Sequence, residues 1–175
     1  MEAAQRIKAI VYTSETGHTK EYAQLFAQQT GLPAYDLKTA KGALPQHCKI
    51  IYMGWLMAGS VKGYKEAANC FTVKALCGVG MARTGSQDED IRKNNNVPEG
   101  TPVFSLQGGF QLEKLHGVYK MMMKVMKATA GKGLANKQDR TPEEDDMLDL
   151  LQNGGDRVNT ENLADLQEWY EGYCK

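Results

Sequence analysis

Short apolar runs alternate along the chain with longer stretches in which apolar residues recur every three or four positions. The short runs predict buried β-strands, and the longer stretches predict amphipathic helices that cover them. Strands are predicted at residues 7–12, 33–37, 49–53, 73–81 and 102–106. Because consecutive parallel strands need a long crossover connection, this alternation indicates a parallel sheet wrapped by helices.

Helices are predicted at residues 19–29, 64–71, 112–130, 143–152 and 162–173. Gly31 is expected to end the first of these helices, and Thr160 to cap the last one. The polar stretch 83–100 is predicted to contain a short helix and a loop, and residues 131–142 an exposed loop.

We therefore expect one α/β domain over residues 1–175, built in three layers around a doubly wound, five-stranded parallel sheet with strand order 2-1-3-4-5. In sheets of this kind a ligand binds outside the carboxyl ends of the strands, where the strand order reverses. The loops that follow the first, third and fourth strands are therefore the expected location of the functional site.

The composition excludes several classes of protein. The chain has 175 residues, of which 42% are hydrophobic and 24% are charged, and this is ordinary for a globular protein. No apolar run approaches the ~20 residues of a membrane-spanning helix, and no secretory signal is recognisable, so a cytoplasmic protein is expected. The net charge of zero argues against nucleic acid as a partner. No C-x-x-C pair is present, and no metal site is predicted.

The strongest chemical signal follows the first strand, in the segment Thr13-Ser-Glu-Thr-Gly-His-Thr19. Ser14, Thr16 and Thr19 offer hydroxyl donors, and Gly17 lets the backbone approach a ligand closely. The free amides at the start of the following helix carry partial positive charge. The spacing is neither a Walker loop nor a G-x-G-x-x-G turn. It predicts a pocket for a phosphate monoester, with an ordinary helix start as the alternative interpretation.

This segment resembles the phosphate loop of the flavodoxin family. In that family an aromatic residue ends the strand, and hydroxyl, small, Thr and Ala residues follow at fixed spacings. These positions are occupied here by Tyr12, Ser14, Gly17, Thr19 and Ala23. The resemblance implies a flavodoxin-like fold and one noncovalently bound FMN. It assigns the FMN phosphate to Ser14, Glu15, Thr16, Gly17, His18 and Thr19.

The same resemblance implies that the flavin ring lies between the loops after the third and fourth strands. The implied contacts come from Trp55, Leu56, Met57, Ala58 and Gly59, and from Gly80, Met81, Ala82 and Arg83. Trp55 and Met57 are suited to a flat apolar ring, although Trp55 can also pack under the edge of the sheet. Arg83 either stabilises a reduced, anionic flavin or is a solvated charge.

Two features separate the chain from the small electron carriers of that family. Carrier flavodoxins are usually strongly acidic, whereas this chain is neutral. The glycine-led segment 108–127, rich in Met and Lys, is similar to the corresponding segment of the menaquinone-dependent protoporphyrinogen oxidase family, whose members are flavodoxin-like enzymes. This similarity implies an oxidoreductase that moves electrons through FMN between a small reductant or quinone and a substrate. A carrier without a substrate, and a protein that binds another phosphate ligand, are the alternatives.

The predicted helix at residues 112–130 has two different faces. His116, Lys120, Lys124 and Lys127 lie on one, and Leu115, Val118, Met122, Met123 and Met126 lie on the other. Such a helix can contact an acidic membrane surface, a redox partner protein or a second copy of the chain, or it can pack as core on its apolar side. No catalytic acid, base or nucleophile is identified, and His47 and His116 are expected at the surface.

Overall fold

A computed structural model describes residues 6–175. The main sheet contains β1 (Ala9–Thr13), β2 (Ala34–Asp36), β3 (Lys49–Met57), β4 (Ser60–Val61), β5 (Thr72–Gly80) and β6 (Val103–Gln107). A separate two-stranded ribbon contains β7 (Gly109–Phe110) and β8 (Gly155–Asp156). The helices are α1 (His18–Thr30), α2 (Leu37–Ala43), α3 (Tyr64–Cys70), α4 (Asp88–Asn94), α5 (Gly117–Asn136), α6 (Pro142–Asn153) and α7 (Ala164–Tyr173). The expected α/β architecture, with a parallel sheet flanked by helices, is confirmed.

The sheet has six strands instead of the predicted five. Its parallel strands lie in the order β2-β1-β3-β5-β6, and β4 is an additional strand that pairs antiparallel with β3. The prediction ended the third strand at Met53, whereas β3 continues to Met57. The chain then reverses at Ala58 and Gly59, which have positive φ angles of 48° and 77°. The predicted loop after the third strand is therefore largely a hairpin.

Alternate residues of the central strands pack into separate cores on the two faces of the sheet. On one face, Ile10, Ile51 and Cys77 lie in a core that includes residues of α1 and α7. On the other face, side chains such as Val11 and Tyr52 lie in a core that includes residues of α2, α3 and α4. Because both faces are covered, the strands read as nearly continuous apolar runs.

The segment between β7 and β8 forms a hairpin of two helices, α5 and α6, which we call the helical hairpin. The prediction of an exposed loop over 131–142 is wrong for residues 131–136, because α5 continues to Asn136, and the loop is confined to residues 137–141. Arg140 then donates hydrogen bonds to the carbonyls of Leu134 (3.1 Å) and Lys137 (2.8 Å) at the end of that helix. The second helix begins with a capping box between Thr141 and Glu144.

Two further local predictions need correction. Helix α2 was not predicted; it begins where the Asp36 carboxylate accepts a hydrogen bond from the Thr39 amide at 3.0 Å. Thr160 does not cap the last helix. Instead, the side chain of Asn159 accepts from the amide of Asn162 at 3.1 Å, a single 3-10 turn follows, and α7 starts at Ala164.

Candidate functional site

The carboxyl ends of β1, β3 and β5 border a cavity of about 580 Å³, which we call the main cavity. This volume lies within the roughly 300–1,000 Å³ range of small-molecule and cofactor sites. Its sheet side is lined by Glu15, Thr16, His18, Thr19, Trp55, Leu56, Met57, Ala58, Gly59, Val79, Gly80, Met81, Ala82 and Gln87. The three loops identified from the sequence therefore meet at one place, and of the predicted site residues only Ser14, Gly17 and Arg83 are not in its lining.

Helix α1 opens at one end of the main cavity without a side-chain cap. Its N-cap residue is Gly17, whose φ of 106° is left-handed and therefore favours glycine. The Gly17 amide donates to the Ser14 hydroxyl at 3.2 Å, so Ser14 stabilises the turn itself. His18 and Thr19 follow and are 6% and 1% exposed. The first amides of a helix have no intrahelical acceptor, so this buried end is suited to an anion.

His18 is buried in the wall of the main cavity and does not point into solvent. Its Nδ1 lies 2.9 Å from the Thr16 hydroxyl, whereas its Nε2 is buried and has no hydrogen-bond partner. The ring packs beneath the β7 backbone, since a Cβ on Gly109 would lie 2.9 Å from Nε2. Burial lowers the pKa of His18, and the Asp156 carboxylate partly opposes this effect. Because Nε2 is enclosed by the β7 backbone, the imidazole is a buried part of the cavity wall.

Trp55 lies in the cavity wall, and its ring meets the ring of Tyr119 from α5 edge-on. The ring centroids are 5.1 Å apart, and the interplanar angle is 89°. The ammonium of Lys62 lies 5.7 Å from the Trp55 ring centroid and 5.3 Å from that of Tyr119. These contacts join the sheet to the helical hairpin and orient a flat side chain at the cavity.

The turn after β3 is held in place by the side chain of Asn95. Its Oδ1 accepts from the Val61 amide at 2.9 Å, and its Nδ2 donates to the Gly59 carbonyl at 3.0 Å. A Cβ on Gly59 would collide with the amide of Asn94. The turn that borders the main cavity is therefore fixed from behind by the end of α4.

The loop after β5 is attached to the neighbouring strand β6. The Gln107 side chain donates to the Met81 carbonyl at 3.0 Å, and the Gln107 amide donates to the Thr84 hydroxyl at 3.0 Å. Arg83 projects away from the main cavity and forms an ion pair with Glu143 of α6 at 2.6 Å. The Arg83 guanidinium therefore connects this loop to the helical hairpin.

The helical hairpin and β7 supply the part of the lining that the sequence did not predict. These residues are Gly109, Phe110, Gln111, Leu115, Met122, Met123, Met126, Ala130, Leu134, Met147 and Leu151. The methionine spacing in 112–130 was a usable signal, but the apolar stripe is divided. Met123 and Met126 line the main cavity, whereas Val118 of the same stripe is 63% exposed on the outer side, next to the exposed Met121, which was not part of the predicted stripe. A membrane or partner contact of that outer side stays a prediction.

A smaller cavity of about 460 Å³ lies beside the Ser14–Thr19 loop. Ser14 and Gly17 contribute to its lining, together with the lysines Lys20, Lys38 and Lys41. Three carboxylates also line it, and one of them, on Glu66, is paired with Lys41. The formal charges of this cavity therefore cancel.

Within residues 6–175, no group of three or more His, Cys, Asp or Glu side chains is arranged to hold a metal ion. None of the helices in this range is both long and apolar enough to cross a membrane. Comparison of the chain with protein-family models, curated proteins and solved structures gave no match.

Proposed function

We propose that this chain is a flavodoxin-like oxidoreductase that binds one FMN in the main cavity and passes electrons between a small reductant or quinone and a second substrate. One observation carries the proposal. The same cavity has an uncapped helix N-terminus at one end and flat, apolar side chains along its wall. FMN combines a phosphate dianion with a flat, largely apolar ring, so its two parts match the two parts of the cavity.

The residues at the phosphate end fit a dianion without using a lysine or arginine. Thr16 and Thr19 line the cavity, and the amides at the start of α1 lack intrahelical acceptors. Hydrogen bonds to a charged group contribute about 1.5–3 kcal/mol each, so a few of them are sufficient for selective binding.

The residues at the ring end fit a flat aromatic group. Trp55, Leu56 and Met57 form an apolar wall at the end of β3. Gly80, at the end of β5, and Met81 and Ala82, in the loop after it, supply the neighbouring part of the wall. Apolar and thioether side chains exclude water, which strengthens the electrostatic effects on whatever is bound there. When bound, FMN would supply the electron-transfer chemistry, and these residues would orient it.

The strand arrangement supports the flavodoxin-like assignment. Setting β4 aside, the parallel strands run β2-β1-β3-β5-β6, and the chain reverses direction across the sheet between β1 and β3. This reversal is the place where doubly wound sheets bind their ligands. The main cavity borders it with the loops after β1 and β3.

The helical hairpin favours an enzyme over a simple electron carrier. A carrier has to present its flavin edge to a partner protein, whereas Met123, Met126 and Met147 cover the main cavity here. A covered site with apolar walls is suited to a second small molecule beside the cofactor. We therefore prefer the oxidoreductase over the carrier.

Titration of the flavin-free protein with FMN and with riboflavin tests the proposal. FMN is expected to bind with strong quenching of its fluorescence, and riboflavin, which lacks the phosphate, at least ten-fold more weakly. Absence of FMN binding would overturn the proposal. Binding of inorganic phosphate without binding of FMN would favour a protein that binds another phosphate ligand. Reduced, FMN-loaded protein that is reoxidised only by protein partners, and never by small molecules, would instead identify a carrier.

A further inference from the structure

The outer side of α5 presents a group of large apolar side chains to solvent. Among residues 6–175, the large hydrophobic residues that are exposed are Val118, Met121, Met122 and Val125, and their exposure runs from 46% to 68%. All four lie on two turns of this one helix. We call these four residues the outer patch. Contiguous exposed apolar residues of this kind mark a contact surface.

Lysines without acidic partners accompany the outer patch. The segment 114–138 contains six lysines and no Asp or Glu. Lys124 lies one turn from Met121, and Lys132 lies two turns beyond Val125 on the same side of the helix. Both lysines are exposed, and within residues 6–175 neither forms an ion pair. Their ammonium groups are therefore available to negative charges supplied by another molecule.

The acidic residues of the neighbouring helix α6 do not neutralise these lysines. The α6 carboxylates pair instead with cations of the loop after β5, of the connection between the two helices and of the segment after β8; they belong to Glu143, Glu144, Asp145, Asp146 and Asp149. The outer side of α5 is therefore basic, although the chain as a whole has a formal net charge of zero.

The outer patch is continuous with the lining of the main cavity. Met122 is 46% exposed and also lines that cavity, so it lies at the cavity's rim. Met123 and Met126 follow on the inner side of the same helix. An occupant of the outer patch therefore meets apolar side chains up to the edge of the cavity.

The chemistry of the outer patch favours a lipid surface over a protein partner. A two-fold contact brings the same patch of both subunits together, so a second copy would place one basic helix against another with no acid between them. Interfaces between different proteins draw most of their binding energy from Trp, Tyr and Arg, whereas the outer patch contains only Val and Met. Helices that lie on a bilayer combine exposed apolar side chains with nearby lysines, which acidic headgroups neutralise.

From these observations we propose that the outer patch binds the surface of an anionic lipid bilayer, with α5 lying along that surface. Val118, Met121 and Val125 insert between the headgroups, and Lys124 and Lys132 contact acidic lipids. The patch spans only two turns, about 10 Å of helix, so the contact is reversible and needs both its apolar and its ionic part. The inference adds an interaction surface to the protein and does not depend on FMN.

Sedimentation of the full chain with lipid vesicles tests the proposal. Vesicles of phosphatidylcholine alone are compared with vesicles in which about one third of the lipid is phosphatidylglycerol. Binding to the acidic vesicles is expected to be at least ten-fold tighter, and most of it should be lost when the salt is raised to about 0.5 M. Equal affinity for the two compositions, or binding to neither, would overturn the proposal.

Two exposed positions provide matched variants for the apolar part of the contact. Met121→Glu places a negative charge on the most exposed residue of the outer patch, and it should weaken binding to the acidic vesicles at least ten-fold. Gln28→Glu adds the same charge at an exposed position of α1 and should leave the binding unchanged. Equal losses in both variants would contradict the proposal.

The ionic part of the contact is tested by removing lysines. The double variant Lys124→Gln and Lys132→Gln should lose about ten-fold or more of its affinity for the acidic vesicles. The control is the double variant Lys65→Gln and Lys93→Gln, which changes the net charge equally at exposed positions of α3 and α4. If both double variants lost affinity to the same extent, net charge and not the outer patch would govern binding.

Two further measurements separate a bilayer from the other occupants. Self-association in sedimentation equilibrium that Met121→Glu abolishes, without binding to vesicles, would identify a second copy and overturn the proposal. Soluble poly-glutamate that binds as tightly as the acidic vesicles would show that charge alone is recognised, and would also overturn it. Flavin-free protein and protein titrated with FMN are both expected to bind the acidic vesicles, so failure of this proposal and failure of the FMN proposal give different results.

Discussion

The side chain of Gln107 donates a hydrogen bond to the carboxylate of Asp146 at 2.6 Å, joining strand β6 to helix α6 across 39 positions of the chain. The same Gln107 amide group also donates to the carbonyl of Met81 in the wall of the main cavity. Asp146 accepts in addition from Arg157 at 3.0 Å. The helical hairpin and the loop after β5 are therefore held by one small polar network.

We expect Asp146→Ala to loosen the helical hairpin. The substitution leaves Gln107 and Arg157 each without one hydrogen bond, and because these side chains are only half-buried the loss of stability should be about 1–2 kcal/mol. Urea denaturation measures this loss, and amide hydrogen exchange should become faster in α5 and α6. Asp139→Ala is the control, since Asp139 is an exposed carboxylate in the connection between the two helices. Unchanged exchange in Asp146→Ala would show that the network does not hold the hairpin.

The double variant Thr16→Val and Thr19→Val should bind FMN more weakly. Valine keeps the shape of threonine but removes hydroxyls that we assign to the phosphate, and the expected loss is about 1–3 kcal/mol. Quenching of FMN fluorescence measures it, and riboflavin affinity should change little. Thr72→Val is the control, because that hydroxyl bonds to the His47 carbonyl at the far end of β5. Equal FMN affinity in the double variant and the wild type would exclude this loop as the phosphate site.

The stability of the flavin-free protein should decrease as the pH falls below about 6.5 because of His18. Burial lowers the pKa of His18 in the folded state from its usual 6.5, although Asp156 and Glu21 raise it and Lys114 lowers it further. The unfolded chain therefore takes up a proton at a higher pH than the folded protein, and acid favours unfolding. Urea midpoints between about pH 5 and pH 8 measure the effect.

His18→Gln should have a flatter pH profile in that range, because glutamine does not titrate. The exposed His116 provides the control substitution, His116→Gln, which should retain the wild-type profile. If His18→Gln followed the wild-type curve, the burial of a neutral imidazole would not be the cause of the acid sensitivity.

Tyr52→Phe should destabilise the fold by about 1–3 kcal/mol. The Tyr52 hydroxyl lies 2.7 Å from the Thr13 hydroxyl and donates to the Lys62 carbonyl at 2.8 Å, so it connects the end of β1 to the segment after β4. Removal of the hydroxyl leaves buried polar atoms without a partner. Tyr35→Phe is the matched control, since Tyr35 is half-buried and its hydroxyl has no partner within residues 6–175. Equal urea midpoints for the two variants would contradict this role.

The local sequence was sufficient to predict the parallel strands and the loop that begins α1. Runs such as 49–53 are apolar on both faces because helices cover both sides of the sheet, and that pattern is visible without knowledge of the fold. The Ser14–Thr19 segment combines hydroxyls, a glycine and a helix start within a few residues, so its chemistry is also local. The loops after β1, β3 and β5 could be assigned to one site because a doubly wound sheet binds its ligand at the carboxyl ends of the strands, where the strand order reverses.

The short strands, and the part of the cavity lining that the helical hairpin supplies, could not be predicted in this way. Strand β7 pairs Gly109 with Asp156, residues that lie on opposite sides of the helical hairpin in the chain, and a two-residue strand has no periodicity to detect. Helix α2 is likewise short, and its main signal is the single cap at Asp36.

By itself, the sequence determined the five parallel strands, most of the helices and the position of the Ser14–Thr19 loop, because periodicity and turn chemistry act between neighbours in the chain. Only the tertiary structure decided that Met123 and Met126 face the cavity while Met121 faces outward, since all three have the same local preference for a helix. The tertiary structure also decided that Arg83 pairs with Glu143 and that His18 is buried beneath the β7 backbone. These outcomes depend on how the helical hairpin folds over the sheet, through contacts between residues far apart in the sequence.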